Sequence, residues 1–158
     1  MKAVIFDIDG TLANISQRLH FIQKTPKDWK GFYCLMRLDQ PIEPLCWLLG
    51  VLFERQKEVV ECGNGQPFEI FFVTGRPEKY RDETANWIMD NIPFANNFTL
   101  KMRKDKDHRS DFEIKEEILK ELQTRGYQIL FAVEDRQQCV DMYRRNGVMC
   151  LQCAEGNF

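Results

Sequence analysis

Apolar positions along the chain gather into short runs at Ala3–Phe6, Glu69–Val73, Phe98–Met102, Ile129–Val133 and Val148–Leu151, rich in β-branched and aromatic side chains. Runs of this length, bounded by polar residues and glycine, predict strands buried on both faces. Between them the pattern lengthens to a helical period. Pro77 to Asn91 suits a helix with proline in its first turn. Ser110 with Glu113 three residues later is a capping-box pattern, and Ile114, Ile118, Leu119 and Leu122 follow at helical spacing. Gln137 to Asn146 predicts a third helix, ended by Gly147. This alternation predicts an α/β fold, a central parallel sheet with helices on both faces.

Residues 14–66 break the rhythm, because they are too long for a simple crossover between the first two strands. They predict a small helical accessory region, resembling a cap, inside one domain spanning 1–158. Asp28 to Leu38 carries Trp29, Phe32, Tyr33, Leu35 and Met36, and a second helix is expected from Pro44 to about Val59. The aromatic residues are expected to pack against the main core, with a lid over the site as the alternative. Gly63-Asn64-Gly65-Gln66-Pro67 forms the turn into the second strand.

Composition narrows the class. With 158 residues, 44% of them hydrophobic, the chain supports one domain with a real core. A formal net charge of −2 excludes a global basic field for nucleic acid or an anionic membrane, so any polyanion must be held locally. No run approaches the roughly 18 apolar residues of a membrane span, and no signal-peptide pattern opens the chain, so a cytoplasmic location without membrane contact is expected. The cysteines (Cys34, Cys46, Cys62, Cys139, Cys150, Cys153) read as reduced thiols, since Cys150 and Cys153 have neither a second such pair nor a nearby histidine. His20 and His108 are likewise isolated.

The chemistry begins at Asp7-Ile8-Asp9-Gly10-Thr11, directly after the first apolar run. In extended geometry Asp7 and Asp9 project to one side of the chain while Ile8 faces the other. Two carboxylates so placed repel unless a divalent cation neutralises them or one carries a proton. Either condition suits phosphoryl transfer, in which one carboxylate attacks phosphorus and the other moves a proton. The same five residues also make an ordinary solvated turn.

Three further polar clusters fall at or near the carboxyl ends of predicted strands, or at the start of the next helix. Thr74-Gly75-Arg76-Pro77 offers a hydroxyl, a permissive glycine and a guanidinium near a helix N-terminus, groups that bind phosphate oxygens well; a bare turn is the plainer reading. Asp111 and Lys115 lie four residues apart on the capped helix and can pair. Glu134-Asp135-Arg136 presents hard oxygen ligands for magnesium if it lies near Asp7. In an open sheet such clusters converge where the strand order reverses.

These four motifs, Asp7–Thr11, Thr74, Lys115 and Glu134–Asp135, resemble those of the haloacid dehalogenase (HAD) superfamily of phosphotransferases. Within it the chain is most similar to the 3′-phosphatase domain of phage-type polynucleotide kinase-phosphatases. The likeness covers nearly the whole chain and includes Asp111 to Ile118, Val133 to Gln137, Met142 to Val148 and Glu155 to Phe158. Arg18, eleven residues after Asp7, and Arg76 match arginines required in that family.

The resemblance implies a strand order of 3-2-1-4-5 and a magnesium-dependent phosphatase working through an aspartyl-phosphate. Asp7 would be the nucleophile, and Asp9 the general acid and then base. Asp7, Asp135 and the Asp9 carbonyl would hold the metal, with Glu134, where the family usually has aspartate, ligating directly or through water. Thr74, Lys115 and the backbone of Ile8 to Thr11, Gly10 included, would hold phosphoryl oxygens. Arg18 and Arg76, with Gly75 between Thr74 and Arg76, would meet the substrate phosphate or its neighbour, and Asp111 would orient Lys115 or an arginine. No GxxxxGK[ST] loop occurs, so the sequence holds no ATP-binding kinase half, and a free-standing phosphatase is expected.

Between Lys101 and Arg109 the chain carries Lys101, Arg103, Lys104, Lys106 and Arg109 against Asp105 and Asp107. This is either a local clamp for a polynucleotide backbone or a solvated loop with only Arg103 and Arg109 turned inward. The expected substrate is therefore a 3′-phosphate on a polynucleotide end or a nucleotide. The alternatives are a free nucleoside monophosphate or another small phosphate ester and, from another class, an inactive binding domain, against which the intact motifs argue.

Overall fold

The computed structural model describes residues 1–156. Asn157 and Phe158, the second half of the Glu155 to Phe158 ending, lie outside the described residues. In chain order the elements are β1 (Lys2–Phe6), β2 (Ala13–Asn14), α1 (His20–Gln23), α2 (Trp29–Cys34), β3 (Gln40–Pro41), α3 (Glu43–Cys62), β4 (Phe68–Pro77), α4 (Arg81–Asn91), β5 (Thr99–Arg103), α5 (Asp111–Thr124), β6 (Gln128–Glu134), α6 (Gln137–Arg145) and β7 (Cys150–Gln152).

All the expected strands form, and they pair in parallel in the order β5-β4-β1-β6-β7. Alternate residues feed opposite faces. Val4, Phe6, Ile70, Phe72 and Leu100 pack with Leu49 and Phe53 of α3 and with Trp87 and Ile88 of α4. Ala3, Ile5, Phe71, Val73 and Ala132 pack with Ile114, Ile118 and Leu122 of α5 and with Val140 and Tyr143 of α6. Burying each such large side chain contributes about 1.5–3 kcal/mol before chain entropy is counted. Because successive strands are laid to one side of β1 and then to the other, a crevice opens at its carboxyl end.

Boundaries shift where local chemistry overrides the apolar pattern. β4 runs to Pro77 rather than Val73, since Thr74 pairs with Met102 and, after an irregularity, Pro77 with Arg103. Pro77 is itself extended, at φ −63° and ψ 147°, so a short 3-10 turn over Glu78–Tyr80 intervenes before α4. β7 starts at Cys150 rather than Val148 because the Val148 N–H still bonds the Tyr143 carbonyl at 3.0 Å, closing the end of α6.

The long insertion divides into two parts. α3, with Pro44 in its first turn and Gly63 at φ 64° ending it, is an ordinary layer helix whose Cys46, Leu49 and Phe53 join the main core. The stretch before it is closed by the β2–β3 ladder, in which Ala13 meets Pro41 and Asn14 meets Gln40. The Ile42 N–H adds a bond to the Leu12 carbonyl at 2.7 Å. This ladder returns the chain to the end of β1, so residues 15–39 stand beside the crevice. Of their aromatic residues, Phe32 is buried as expected, whereas Trp29 remains 48% exposed.

Candidate active site

Asp7 is held in the frame of the sheet by its N–H, which donates to the Val133 carbonyl at 3.0 Å. The chain then turns tightly around the Ile8 carbonyl, which accepts from the N–H groups of Thr11, Leu12 and Ala13 at 3.2, 2.9 and 2.8 Å. Gly10 adopts φ +91°, and a Cβ there would also collide with the Asp135 carboxylate, so glycine is needed twice over. Asp7 and Asp9 line one cleft, as their alternation requires. They meet opposite electrostatic surroundings.

Around Asp7 the surroundings are acidic with a single lysine. Lys115, on the first turns of α5, donates from Nζ to Asp7 Oδ1 at 2.7 Å and to Glu134 Oε2 at 2.7 Å, and pairs with Asp111 at 3.1 Å. Burial alone would lower the Lys115 pKa, but Asp111, Asp7 and Glu134 outweigh it and hold the ammonium charged well above its ordinary range. Burial, reinforced by neighbouring carboxylates, pushes Asp7 up to about 8, Glu134 to about 7 and Asp135 to about 7. One lysine does not neutralise this cluster.

The oxygens without a partner identify where further positive charge fits. Asp7 Oδ2 and Asp135 Oδ1 are buried and have no hydrogen-bond partner among the described residues. Glu134 differs, because Oε2 is taken by Lys115 and Oε1 accepts from the N–H groups of Asp135 and Arg136 at 3.2 and 3.3 Å. Ligand oxygens of Asp7, Glu134 and Asp135 lie within 4.8 Å of one another. This all-oxygen donor set suits a hard divalent cation such as magnesium, and the two unpaired oxygens belong to the aspartates.

Asp9 is surrounded by arginine. Arg18 Nη2 reaches Asp9 Oδ1 at 2.5 Å, and Arg76 Nη2 reaches it at 2.6 Å, with Arg76 Nε at 3.1 and 3.0 Å from the two oxygens. Burial raises the Asp9 pKa, but Arg76 and Arg18 reverse the shift and keep the carboxylate ionised far into acid. Both guanidiniums are fully buried. Their remaining charge is met by Asp39, which accepts from Arg18 Nε at 2.9 and 3.0 Å, from Arg18 Nη2 at 2.6 Å and from Arg76 Nη2 at 3.4 Å. In this structure Arg18 and Arg76, expected to meet the substrate phosphate or its neighbour, hold the Asp9 carboxylate between them. No motif pointed to Asp39. Its one sequence trace is a lone acid between Leu38 and the strand that closes the insertion.

The other expected residues divide. Thr74 is buried and its Oγ1 accepts from the Arg76 N–H at 3.2 Å. Gly75 lines the cleft, where a Cβ would strike the Asp111 carboxylate. Asp111 gathers Lys115 at 3.1 Å, Arg103 at 3.4 Å and Arg136 at 3.7 Å. Arg103 also donates to the carbonyls of Gly75, Asp107 and Arg109 at 2.9, 3.2 and 2.6 Å, tying the loop after β5 to the cleft. The N–H groups of Gly10 and Thr11 bond the Ala13 and Ile8 carbonyls within the turn, at 2.9 and 3.2 Å. Arg109 is not brought to the cleft: it is exposed and paired with Asp107 at 2.6 Å and Glu117 at 2.7 Å. Acids on α5 likewise meet Lys101 and Lys104, at 2.7 and 3.5 Å, which accounts for a largely neutralised loop.

Opposite the acids the cleft has an apolar wall of Ile22, Trp29, Phe32 and Tyr33, with Lys27 at its edge. Sequence periodicity did not separate these rings from core residues, because all three aromatic positions sit on a helix of only six residues.

A parallel sheet whose reversal point carries Asp7 and Asp9 just past the end of β1, Glu134 and Asp135 at the end of β6 and a buried lysine from the intervening helix defines a phosphatase of the HAD class. The model of one family within that class, the polynucleotide kinase PNKP phosphatase domain, matches residues 1–158, and the chain belongs to this family. Among solved structures, a chain of the Pnkp1/Rnl/Hen1 RNA repair complex is 28% identical over 99% of this chain, with a TM-score of 0.72. This chain spans 43% of the length of that relative. A class C acid phosphatase from Bacillus anthracis with tungstate bound (13% identity, 99% of this chain and 68% of that one, TM-score 0.61) shares the fold. So does a hydrolase from Streptococcus pneumoniae TIGR4 (13% identity, 94% and 90%, TM-score 0.56). Among the described residues no helix is long and apolar enough to cross a membrane.

Proposed function

We propose that this phosphatase removes 3′-phosphates from polynucleotide ends or nucleotides, depends on magnesium and works through an aspartyl-phosphate on Asp7. The observation that carries the chemistry is the division of the Asp7 carboxylate, with Oδ1 fixed by Lys115 and Oδ2 buried, unpaired and near Asp135. An oxygen held this way is oriented for attack and is not consumed by a protein partner. Asp7 attacks the phosphorus, and the P–O bond to the sugar breaks as the leaving oxygen takes a proton from Asp9, which must first gain that proton from solvent against the two arginines that keep it ionised. Water, losing its proton to Asp9, then attacks the phosphorus and returns Asp7 as a free carboxylate with release of inorganic phosphate. Lys115 and the surrounding dipoles stabilise charge on the phosphoryl oxygens. Asp7 and Asp135, assisted by Glu134 and the Asp9 carbonyl, would hold the magnesium ion, which supplies neutralisation of the phosphoryl charge.

Membership of the PNKP phosphatase family and the likeness to a chain of an RNA repair complex support the choice of a polynucleotide 3′ end. The test is phosphate release, with magnesium, from matched oligonucleotides bearing a 3′- or a 5′-phosphate, alongside nucleoside 3′- and 5′-monophosphates. The Asp7→Asn protein serves as the blank. Preference for 3′-phosphates is expected. Preference for free 5′-monophosphates would overturn the substrate assignment while leaving the phosphatase chemistry, and equal release with Asp7→Asn would overturn the chemistry itself.

A further inference from the structure

The cleft has two unlike sides, and the chemistry at Asp7 uses only one of them. The other presents Trp29, Tyr33 and Phe32 of α2 together with Ile22 of α1. Trp29 and Tyr33 stack on each other at 6.0 Å between ring centroids and 21° between planes, and Tyr33 continues the row to Tyr80 at 5.0 Å. The row is built to stay in place. The Asp28 side chain caps α2 by accepting from the Gly31 N–H at 2.8 Å, and Phe32 is anchored beneath it with the Arg18 guanidinium 4.1 Å above its ring. A side chain at Gly31 would collide with the Phe21 ring, so glycine lets α1 and α2 close on each other. Yet the indole of Trp29 is left 48% exposed at the cleft mouth.

Charge separates in the same direction. Lys24, Lys27 and Lys30 flank Trp29 in sequence with Asp28 as the one acid in that stretch, in a chain whose net charge is −2. Lys27 Nζ lies 5.4 Å from the Trp29 ring centroid, and Lys79 Nζ 4.9 Å from that of Tyr80. A ligand that satisfies the whole cleft therefore carries an anionic group for the floor, a flat apolar group for the wall, and further negative charge toward the rim. A nucleobase on a phosphorylated sugar has this form, and aromatic rings beside cations are how single strands are held without base-specific hydrogen bonds.

We propose that Trp29, backed by Tyr33, forms a stacking platform for the base of the nucleotide whose phosphate is removed. This rests on the phosphatase reading above. The platform makes the enzyme select esters that carry a base over esters of plain polyols, and it does so with little regard to which base is present.

Two measurements test it. In the Asp7→Asn protein, titration with adenosine 3′-monophosphate should quench tryptophan fluorescence, and the quench should vanish in the double variant with Trp29→Phe, whereas glycerol phosphate should produce none. In turnover, wild-type protein and Trp29→Ala are compared on an oligonucleotide with a 3′-phosphorylated terminal nucleotide and on the same strand ending in a phosphorylated abasic sugar. The ratio of kcat/KM for the base-bearing over the abasic end should fall about fivefold or more in Trp29→Ala, mostly through KM. Equal losses on both ends would mean that Trp29 only supports the fold, and would overturn the platform. So would a quench that survives Trp29→Phe. Wild-type protein that releases phosphate from no ester would instead sink the phosphatase reading, and the fluorescence titration would then decide the platform on its own.

Discussion

Asp39 takes the buried guanidinium of Arg18 through both of its carboxylate oxygens, at 2.9 and 3.0 Å from Nε and 2.6 Å from Nη2. The same Arg18 reaches Asp9 at 2.5 Å, so the position of the Asp9 carboxylate is fixed from a residue that stands outside the sheet. Asp39→Ala leaves two buried arginines short of counter-charge and should destabilise the fold by about 3–5 kcal/mol, read as a lowered denaturation midpoint. Asp39→Asn keeps the shape. It should slow hydrolysis of an alkyl phosphate, whose leaving oxygen needs a proton, more than that of p-nitrophenyl phosphate, whose leaving group does not. Equal slowing of both esters would show that Asp39 serves the fold alone.

Asp7→Asn should abolish turnover while preserving the fold, because it removes the attacking oxygen and barely changes volume. Lys115→Met should also inactivate by several orders of magnitude, since it leaves Asp7, Glu134 and Asp111 facing one another without the ammonium that holds them. Circular dichroism and phosphate release, measured together, separate loss of chemistry from loss of structure.

The raised carboxyls give the metal-free protein a definite pH response. With Asp7 at about 8 and Glu134 and Asp135 at about 7, the folded state binds more protons than the unfolded chain from the ordinary carboxylate range up to about pH 8. Stability therefore falls as pH rises through this window. Melting temperatures in EDTA should drop between about pH 5.5 and about pH 8.5, and magnesium should recover more at the upper value, where its ligands are ionised. A flat profile in EDTA would show that the three acids are neutralised by protein groups alone.

Charge reversal separates the two arginines of the loop after β5. Arg109→Glu should change KM for an oligonucleotide less than twofold, because Arg109 is exposed and already paired with Asp107 and Glu117. Arg103→Glu should impair every substrate alike, since it removes donors from three carbonyls and sets a second acid beside Asp111. Initial rates on an oligonucleotide and on an aryl phosphate distinguish the cases.

What the sequence revealed follows a physical division. Strands and helix placement were legible because β1, β4 and β6 carry buried apolar runs and α5 carries its capping box and apolar spacing openly, whereas the strand order came from the family resemblance. Asp7, Lys115 and Asp135 were legible because each sits at a fixed offset from a strand or helix end. Asp39 was not, since its importance comes from contact with Arg18, 21 positions earlier in the chain, and no periodicity records that contact. Trp29 looked like core because composition does not say which side of a short helix faces water. The inward or outward course of Arg109 depended on Glu117, a partner on another element.

The β2–β3 ladder closes the segment that carries Trp29 and Tyr33 at two neighbouring points, so residues 15–38 can in principle be exchanged as a cassette. Such an exchange would redirect the catalyst to other esters without rebuilding its nucleophile. The graft has one fixed condition: whatever replaces the segment must still deliver a guanidinium at the place of Arg18, or Asp9 and Asp39 lose the cation that joins them.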